Sequence, residues 1–291
     1  MIRKLFLRNA AGERWGLNGD RGVYAHTLSG FGFSLSPNFA DLGHGFFVPV
    51  SDAAEPQNPV PFTITFTRNS YETYQRFVNW LAAAGRLTLG YNPTGMQEYF
   101  RDVTINFLQK SEKNVVGWLE IPASFYCITP WYLPSPTTLD LGKAGEDESK
   151  RYDYEYNDDL MYGEDSTASL SGEVVGAGHI PGAIELTYCG AITNPKIRLI
   201  GKISGKTYGV CSVSAVLCAT DTLKFSSRSE ASYVKKIAAD GGETDLLDAL
   251  DLSTTPFFHV PVDEPCTISI ESDSAFEGTA ALLVYYYYRS V

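Results

Sequence analysis

The stretch FTITFTRNSYETYQRFVNWLAAAGRLTLGY, Phe62 to Tyr91, decides the fold. Phe62, Ile64 and Phe66 alternate with polar residues, as a half-buried strand does. Tyr74, Phe77, Val78 and Leu81 then recur at i, i+3, i+4 and i+7, one apolar stripe of a 3.6-residue repeat. Ser70 is placed to cap the helix, its hydroxyl accepting a hydrogen bond from a first-turn N–H. Ala82 to Ala84 carry the helix on, and Gly85 supplies the left-handed residue that ends it. Leu87, Leu89 and Tyr91 alternate again. A lone helix between two such strands has to lie across a sheet, so the spacing predicts a helix over 70–84 with its Tyr74–Phe77–Val78–Leu81 face buried.

Outward from this unit the chain reads as strands and turns. Ile2 to Leu7 reads as an early strand, and Ser51 to Pro61, holding Pro56, Pro59 and Pro61, as a loop. After the turn Asn92-Pro93-Thr94-Gly95, a strand runs through Tyr99, Val103, Ile105 and Phe107. Lys110 to Asn114 then turns into a hairpin partner of Val115, Val116, Trp118, Leu119 and Ile121. Phe125 to Tyr132 closes the segment. Pro134 to Lys150, with Glu146-Asp147-Glu148, reads as a solvated linker, and Tyr152 to Tyr162 as a strand start or docked arm. Beyond it, the alternations Ile184–Tyr188 and Ile197–Ile203 predict short strands of an antiparallel sandwich. So do Val210–Leu217, Leu223–Phe225, Tyr233–Ile237, Phe257–Val260, Ile268–Ile270 and Ala280–Tyr288. Thr244–Leu252 reads as one helical turn or a short helix. The expected class is mainly β with two sandwich-like domains, the first carrying one helix on a sheet. The domains are an N-terminal β-rich domain at 1–135, a linker or arm at 136–165 and a C-terminal sandwich at 166–291.

Composition agrees. Among 291 residues, aromatics make up 13% and Gly and Pro number 26 and 15, which suits strands and tight turns. No window approaches the roughly 20 apolar residues of a membrane-spanning helix. Met1–Asn9 lacks the apolar core of a signal peptide, so folding in a bacterial-type cytoplasm without export is expected. Charge is lopsided. Through Ser135 there are 11 basic and 10 acidic residues, a net of +1; from Pro136 there are 12 and 24, a net of −12. With no basic stripe, a nucleic-acid reader is unexpected.

The chemistry-bearing residues form no constellation. Cys127, Cys189, Cys211, Cys218 and Cys266 are dispersed with no C-x-x-C pair, against a disulfide framework or a zinc site. They read as small hydrophobes in strands, Cys211 and Cys218 within one apolar run. His26, His44, His179 and His259 lie far apart and read as structural. Asn157-Asp158-Asp159 in the acidic stretch lacks calcium-loop spacing. Gly30, Gly32 and Gly43-His44-Gly45 resemble phosphate loops only superficially, since no helix follows them. No nucleophile elbow is present, and no carboxylate pair stands out among 34 acids. The expected site list is empty: no catalytic, cofactor-binding or metal residue, and no enzyme. Aromatics of the second domain (Tyr188, Tyr208, Phe257, Phe258 and Tyr285 to Tyr288) suggest a contact surface. Alternation puts Tyr285 and Tyr287 on one face and Tyr286 and Tyr288 on the other.

Taken in order, these residues resemble the distal tail protein family of long-tailed bacteriophages. The strand–helix–strand unit carries Phe62–Phe66, Tyr71, Tyr74, Phe77 and Leu81, then Leu87-Thr88-Leu89-Gly90-Tyr91 with Pro93. Tyr99-Phe100-Arg101-Asp102-Val103 with Lys110 and Glu112 is similar to the family's next strand and turn, and Trp131-Tyr132 closes the domain. Ile192-Thr193-Asn194-Pro195-Lys196-Ile197, and Leu246 to Leu252 before Phe257-Phe258, continue the resemblance over nearly the whole chain. It implies a β-rich ring domain and a galectin-like or carbohydrate-module-like sandwich. Six copies would form a hub in the virion tail of a phage or prophage, joining the tail tube to the tip, tail-associated lysin or baseplate, with DNA passing through unbound. No stretch is left over for the large inserted sugar-binding modules of some members. The alternative is a carbohydrate-binding adsorption module acting through the C-terminal sandwich.

Overall fold

A computed structural model of the chain describes residues 3–34, 38–50, 57, 59–142, 169–273 and 277–291, with 138–142 and 277 described by backbone only. The chain divides into two compact units, Met1–Leu133 with Tyr288–Val291, and Pro134–Tyr287.

The first unit runs β1 (Lys4–Arg8), β2 (Arg14–Gly16), β3 (Val23–His26), β4 (Phe39–Gly43), β5 (Phe46–Pro49), β6 (Pro59–Phe66), α1 (Ser70–Ala82), β7 (Leu87–Asn92), β8 (Tyr99–Leu108), β9 (Leu119–Cys127) and the start of β10 (Trp131–Gly142). Antiparallel pairing runs β2-β1-β7-β8-β9-β6-β3. The circuit closes past β2, where Leu17 N donates to Leu5 O at 2.9 Å and Ala25 N to Leu17 O at 2.8 Å. Such closure satisfies most strand edges internally. Inside it Leu7, Leu17, Val23, Ile64, Phe66, Leu119 and Ile121 are fully buried. At Gly90 a Cβ would lie 2.2 Å from the tip of the Phe6 ring, so any larger residue would push that ring aside.

The helix starts where the sequence predicts and ends two residues earlier, at Ala82, and its buried face overlaps the expected one only in part. Phe77 and Leu81 are buried, joined by Ser70, Thr73 and the following Ala84, while Tyr74 and Val78 are only half-buried. The stripe is set by Phe77, whose ring sits 5.3 Å from Trp15 and 5.8 Å from Phe66. Ser70 is not the cap. Asn69 holds that place in the left-handed region (φ 41°) with no side-chain cap, and the Ser70 hydroxyl instead donates to Gly117 O at 3.2 Å. Ala83, not Gly85, is the C-cap, and Gly85, at φ 61°, lies beyond the end of the helix.

Two further expectations are corrected. Pro59 and Pro61, read as loop, open β6 and pair with Tyr126 and Ser124. Beyond Thr63 no strand flanks that side of β6 among the described residues, so a missing N–H costs no ladder bond there. Val115 and Val116, read as strand, stand exposed in a turn whose backbone is held by the Asn114 side chain, and the hairpin partner starts at Leu119.

The second unit contains the rest of β10, then β11 (Ser169–Val174), β12 (Ile180–Thr193), β13 (Lys196–Gly201), β14 (Thr207–Ser212), β15 (Val216–Leu217), β16 (Thr222–Ser226), β17 (Tyr233–Ile237), β18 (Glu243–Asp245), β19 (Cys266–Glu271) and β20 (Glu277–Tyr288). One antiparallel sheet runs β10-β11-β19-β13-β14. The other runs β20-β12-β16-β17-β18, with β15 on the end of β12. Residues of both, among them Leu186, Tyr188, Leu223, Ile197, Leu199 and Ile268, share one core, as in a sandwich. The expected helical turn is a 3-10 turn at Leu247–Ala249. Ile203 and Cys218, read as strand positions, are exposed in turns. Phe257–Val260 forms no strand; Phe258 and Val260 are buried there from irregular chain, with one bridge to Gly182. Of the expected linker, 136–142 continues β10 and 143–165 lies outside the described residues.

Candidate functional site

The four histidines stay apart. His26 Nε2 lies 2.7 Å from Thr65 Oγ1, and His44 sits exposed at the β4–β5 turn with φ 53°. His179 N donates to Tyr287 O, and His259 is held below the ordinary histidine range by burial. All five cysteines are unpaired thiols. Burial pushes Cys211 up to about 12 and Cys266 to about 11. Among the described residues no group of three or more His, Cys, Asp or Glu is placed to hold a metal. Asn157-Asp158-Asp159 falls outside the described residues. No helix among the described residues is long and apolar enough to cross a membrane.

The buried polar groups act as fasteners. Asp102, 1% exposed, pairs with Arg86 and accepts hydrogen bonds from Thr88 Oγ1 at 3.0 Å and Tyr132 Oη at 3.1 Å. Its own N–H donates to Thr129 Oγ1 at 3.0 Å, and Arg101 Nε donates to Thr129 O at 2.7 Å. One carboxylate thus ties β7, β8 and β10 together, and saturating its oxygens is what makes its burial tolerable. Beside it Trp131, fully buried, donates from Nε1 to Phe31 O at 3.1 Å and meets the rings of Phe31 and Tyr91.

In the second unit Glu264 accepts from Tyr208 Oη, Ser204 Oγ (2.7 Å), Ser204 N (3.0 Å) and Ile203 N (3.2 Å). Those donors, Tyr208 first, hold Glu264 down to about 2, and the same bond pushes Tyr208 up to about 12. Arg228, 6% exposed, lies between Glu185 and Glu230 and over the ring of Tyr285 at 4.4 Å. Tyr285 donates to Glu185 Oε2 at 2.8 Å; burial first, then the Glu185 charge, raises its pKa. Of the aromatics proposed for a sugar surface, Tyr188 and Phe258 are sandwich core, with Tyr208, Phe257 and Tyr286 packed against it, while Tyr285 and Tyr287 are buried on the opposite face of β20.

Two of the clefts among the described residues lie in the first unit. One, of about 300 Å³, is lined by Gly30, Gln57, Arg101, Thr129 and Arg289; the other, of about 430 Å³, by Tyr24, His26, Arg68, Trp118 and Glu120. The second also holds Thr65, whose Oγ1 lies 2.7 Å from His26 Nε2. The larger surface feature is apolar. In the β4–β5 hairpin Phe39, Leu42, Phe46, Phe47, Val48 and the following Val50 are all exposed. The sequence signal for it, Gly43-His44-Gly45 between two apolar runs, is a turn and not a phosphate loop, with Gly43, His44 and Gly45 all at positive φ.

Residues 4–128 match the family model described as the N-terminal domain of distal tail proteins. A chain from the phage P2 baseplate in its activated conformation is similar in fold over 100% of both chains, with TM-score 0.68 at 14% identity. The Dit protein of phage SPP1, described as a paradigm of the hub adsorption apparatus in phages infecting Gram-positive bacteria, is similar over 98% of this chain and 99% of its own, with TM-score 0.57 at 10% identity. No curated protein sequence matches the chain. The resemblance first seen in the order of packing and turn residues is thereby borne out.

Proposed function

We propose that this chain, whose N-terminal domain belongs to the distal tail protein family of phages, works by association as a hexameric hub. The match over 4–128 carries the reading, and the fold shared with the two phage proteins over the whole chain supports it. Six copies of the first unit close head to tail into a ring, with the tail tube on one side and the tip or baseplate proteins on the other. Charge favours the first unit as ring former: at +1 through Ser135, copies meet without strong repulsion, whereas −12 in the remainder resists close self-contact at low salt. DNA passes through a channel that lacks a basic stripe, and so lacks the counterion-release gain that would hold it. Assembly takes place in the host cytoplasm.

Native mass spectrometry across a concentration series tests this. A species of six chains, or two such rings, is expected, strengthened by added salt if the acidic remainder opposes assembly. A monomer at every concentration, in both low and high salt, would defeat the hexamer.

A further inference from the structure

We propose that the β4–β5 hairpin is the arm by which one copy of this chain grips a second, seated on the open edge of the second copy's β8. This rests on the ring reading above and names its contact. The hairpin is the most exposed apolar element described. Phe46 is 70% exposed, Phe47 61% and Phe39 56%, with Leu42, Val48 and Val50 beside them. Neighbouring residues of a strand point to opposite faces, so Phe46 and Phe47 leave both faces of the ribbon uncovered. An isolated two-stranded hairpin is marginal in water, and this one holds apolar side chains on both sides where solvent-facing strands carry polar ones. At about 200 Å² per phenylalanine, the six side chains offer on the order of 600 Å². That is large for a patch on a lone protein and close to the ~800 Å² per partner of a stable interface.

The acceptor follows from the strand ladder. On one side β8 pairs with β7 only as far as Leu87↔Val103, while on the other it continues with β9 to Leu108↔Ala123. Thr104 to Leu108 therefore present an unpaired edge among the described residues. Ile105 and Phe107 are exposed on it, and Tyr126, paired to Thr104, is exposed next to it. Open edges are ordinarily blunted by proline, charge or cover. The open end of β6 carries Pro59 and Pro61, but Thr-Ile-Asn-Phe-Leu at 104–108 has neither proline nor charge. A register shift between Ile105 and Phe107 bends this edge without covering it, so its free backbone groups can still receive a strand.

A second copy is the occupant that fits both features. A head-to-tail ring needs a donor patch and a different acceptor patch on every copy, and the first unit displays one of each. The hairpin carries one acid, Asp41, and the edge no charge, so the contact repeats around a ring without accumulating like charge.

The test uses the full chain and two double variants, Phe46→Ser/Phe47→Ser on the arm and Ile105→Lys/Phe107→Lys on the edge. Masses are read by sedimentation equilibrium and folding by thermal unfolding. Below the concentration at which the wild-type chain assembles, both variants should melt within about 2 °C of it, since all four side chains are exposed, and both should need at least tenfold higher concentration to form rings. Mixed in equal amounts, they should form dimers and no rings, because each retains only one working patch. Rings formed by the arm variant at wild-type concentration would overturn the proposal, including where that variant instead loses binding to another tail protein. Loss of rings in the arm variant but not in the edge variant would overturn the assignment of β8. A wild-type chain that never assembles would overturn the ring reading itself.

Discussion

Replacing Phe77 by alanine tests how the helix is held. The ring is fully buried and lies among Trp15 (5.3 Å), Phe66 (5.8 Å) and Trp80 (6.5 Å, planes 11° apart). Truncation removes roughly 150 Å² of apolar burial, which at about 25 cal/mol per Å² is ~4 kcal/mol before any cavity cost. Measured Phe→Ala losses of about 3–5 kcal/mol bracket this value. For a unit of this size it corresponds to roughly 10–20 °C in melting temperature. Val78→Ala is the control, because periodicity puts Val78 on the same stripe while the structure leaves it half-buried; its loss should stay near 1 kcal/mol. Urea unfolding followed by tryptophan fluorescence reads the change, since Trp15 and Trp80 both contact the ring. A Phe77→Ala loss below about 1 kcal/mol, or a Val78→Ala loss equal to it, would refute the packing.

Three more outcomes are expected. Asp102→Ala should cost about 2–4 kcal/mol, because it removes the buried acceptor of the Thr88 and Tyr132 hydroxyls and the ion pair with Arg86; urea unfolding within 0.5 kcal/mol of wild type would contradict it. The Glu264–Tyr208 pair should shape both pH limbs. Glu264, held down to about 2, contributes stability above its ordinary 4.5 that is lost as pH falls toward about 2. Tyr208, raised to about 12, contributes stability below its ordinary 10.0 that is lost as pH rises toward about 12. Unfolding curves of Glu264→Gln should be flatter over both windows, and slopes identical to wild type would count against the pair. Limited proteolysis should cut first within 143–165, the polar, acidic stretch of the sequence; first cuts inside β6 or β12 would oppose that boundary.

The helix was legible because a 3.6-residue stripe and a glycine stop are local signals. Its buried face was read right at Phe77 and Leu81 but not at Tyr74 and Val78, because Trp15, 62 positions before Phe77, meets Phe77 and Trp80 and draws the covered side round. Ser70 looks like a cap in sequence, yet its hydroxyl is claimed by Gly117, a partner no local pattern announces. Several alternating strands were found, but β3, buried only at Val23 and Ala25, was too short to be read. Phe257–Val260 was misread because a buried irregular segment is as apolar as a strand. The Tyr-Phe-Arg-Asp-Val motif was visible, but not the reason for its aspartate, since Arg86, Thr88 and Tyr132 converge on it only in the folded barrel. The exposed hairpin was hidden for the opposite reason: FADLGHGFFVPV has the apolar content of a core, and burial cannot be read from content alone.

The central claim, a phage tail hub built from six copies, is tested most directly by cryo-electron microscopy of tails carrying this chain, with and without its gene. The account predicts a six-fold ring of it at the distal end of the tube, with density for the first unit, residues 4–128, around the channel. Tails that lack the chain at that end, or hold it there in any number that does not form a six-fold ring, would contradict it.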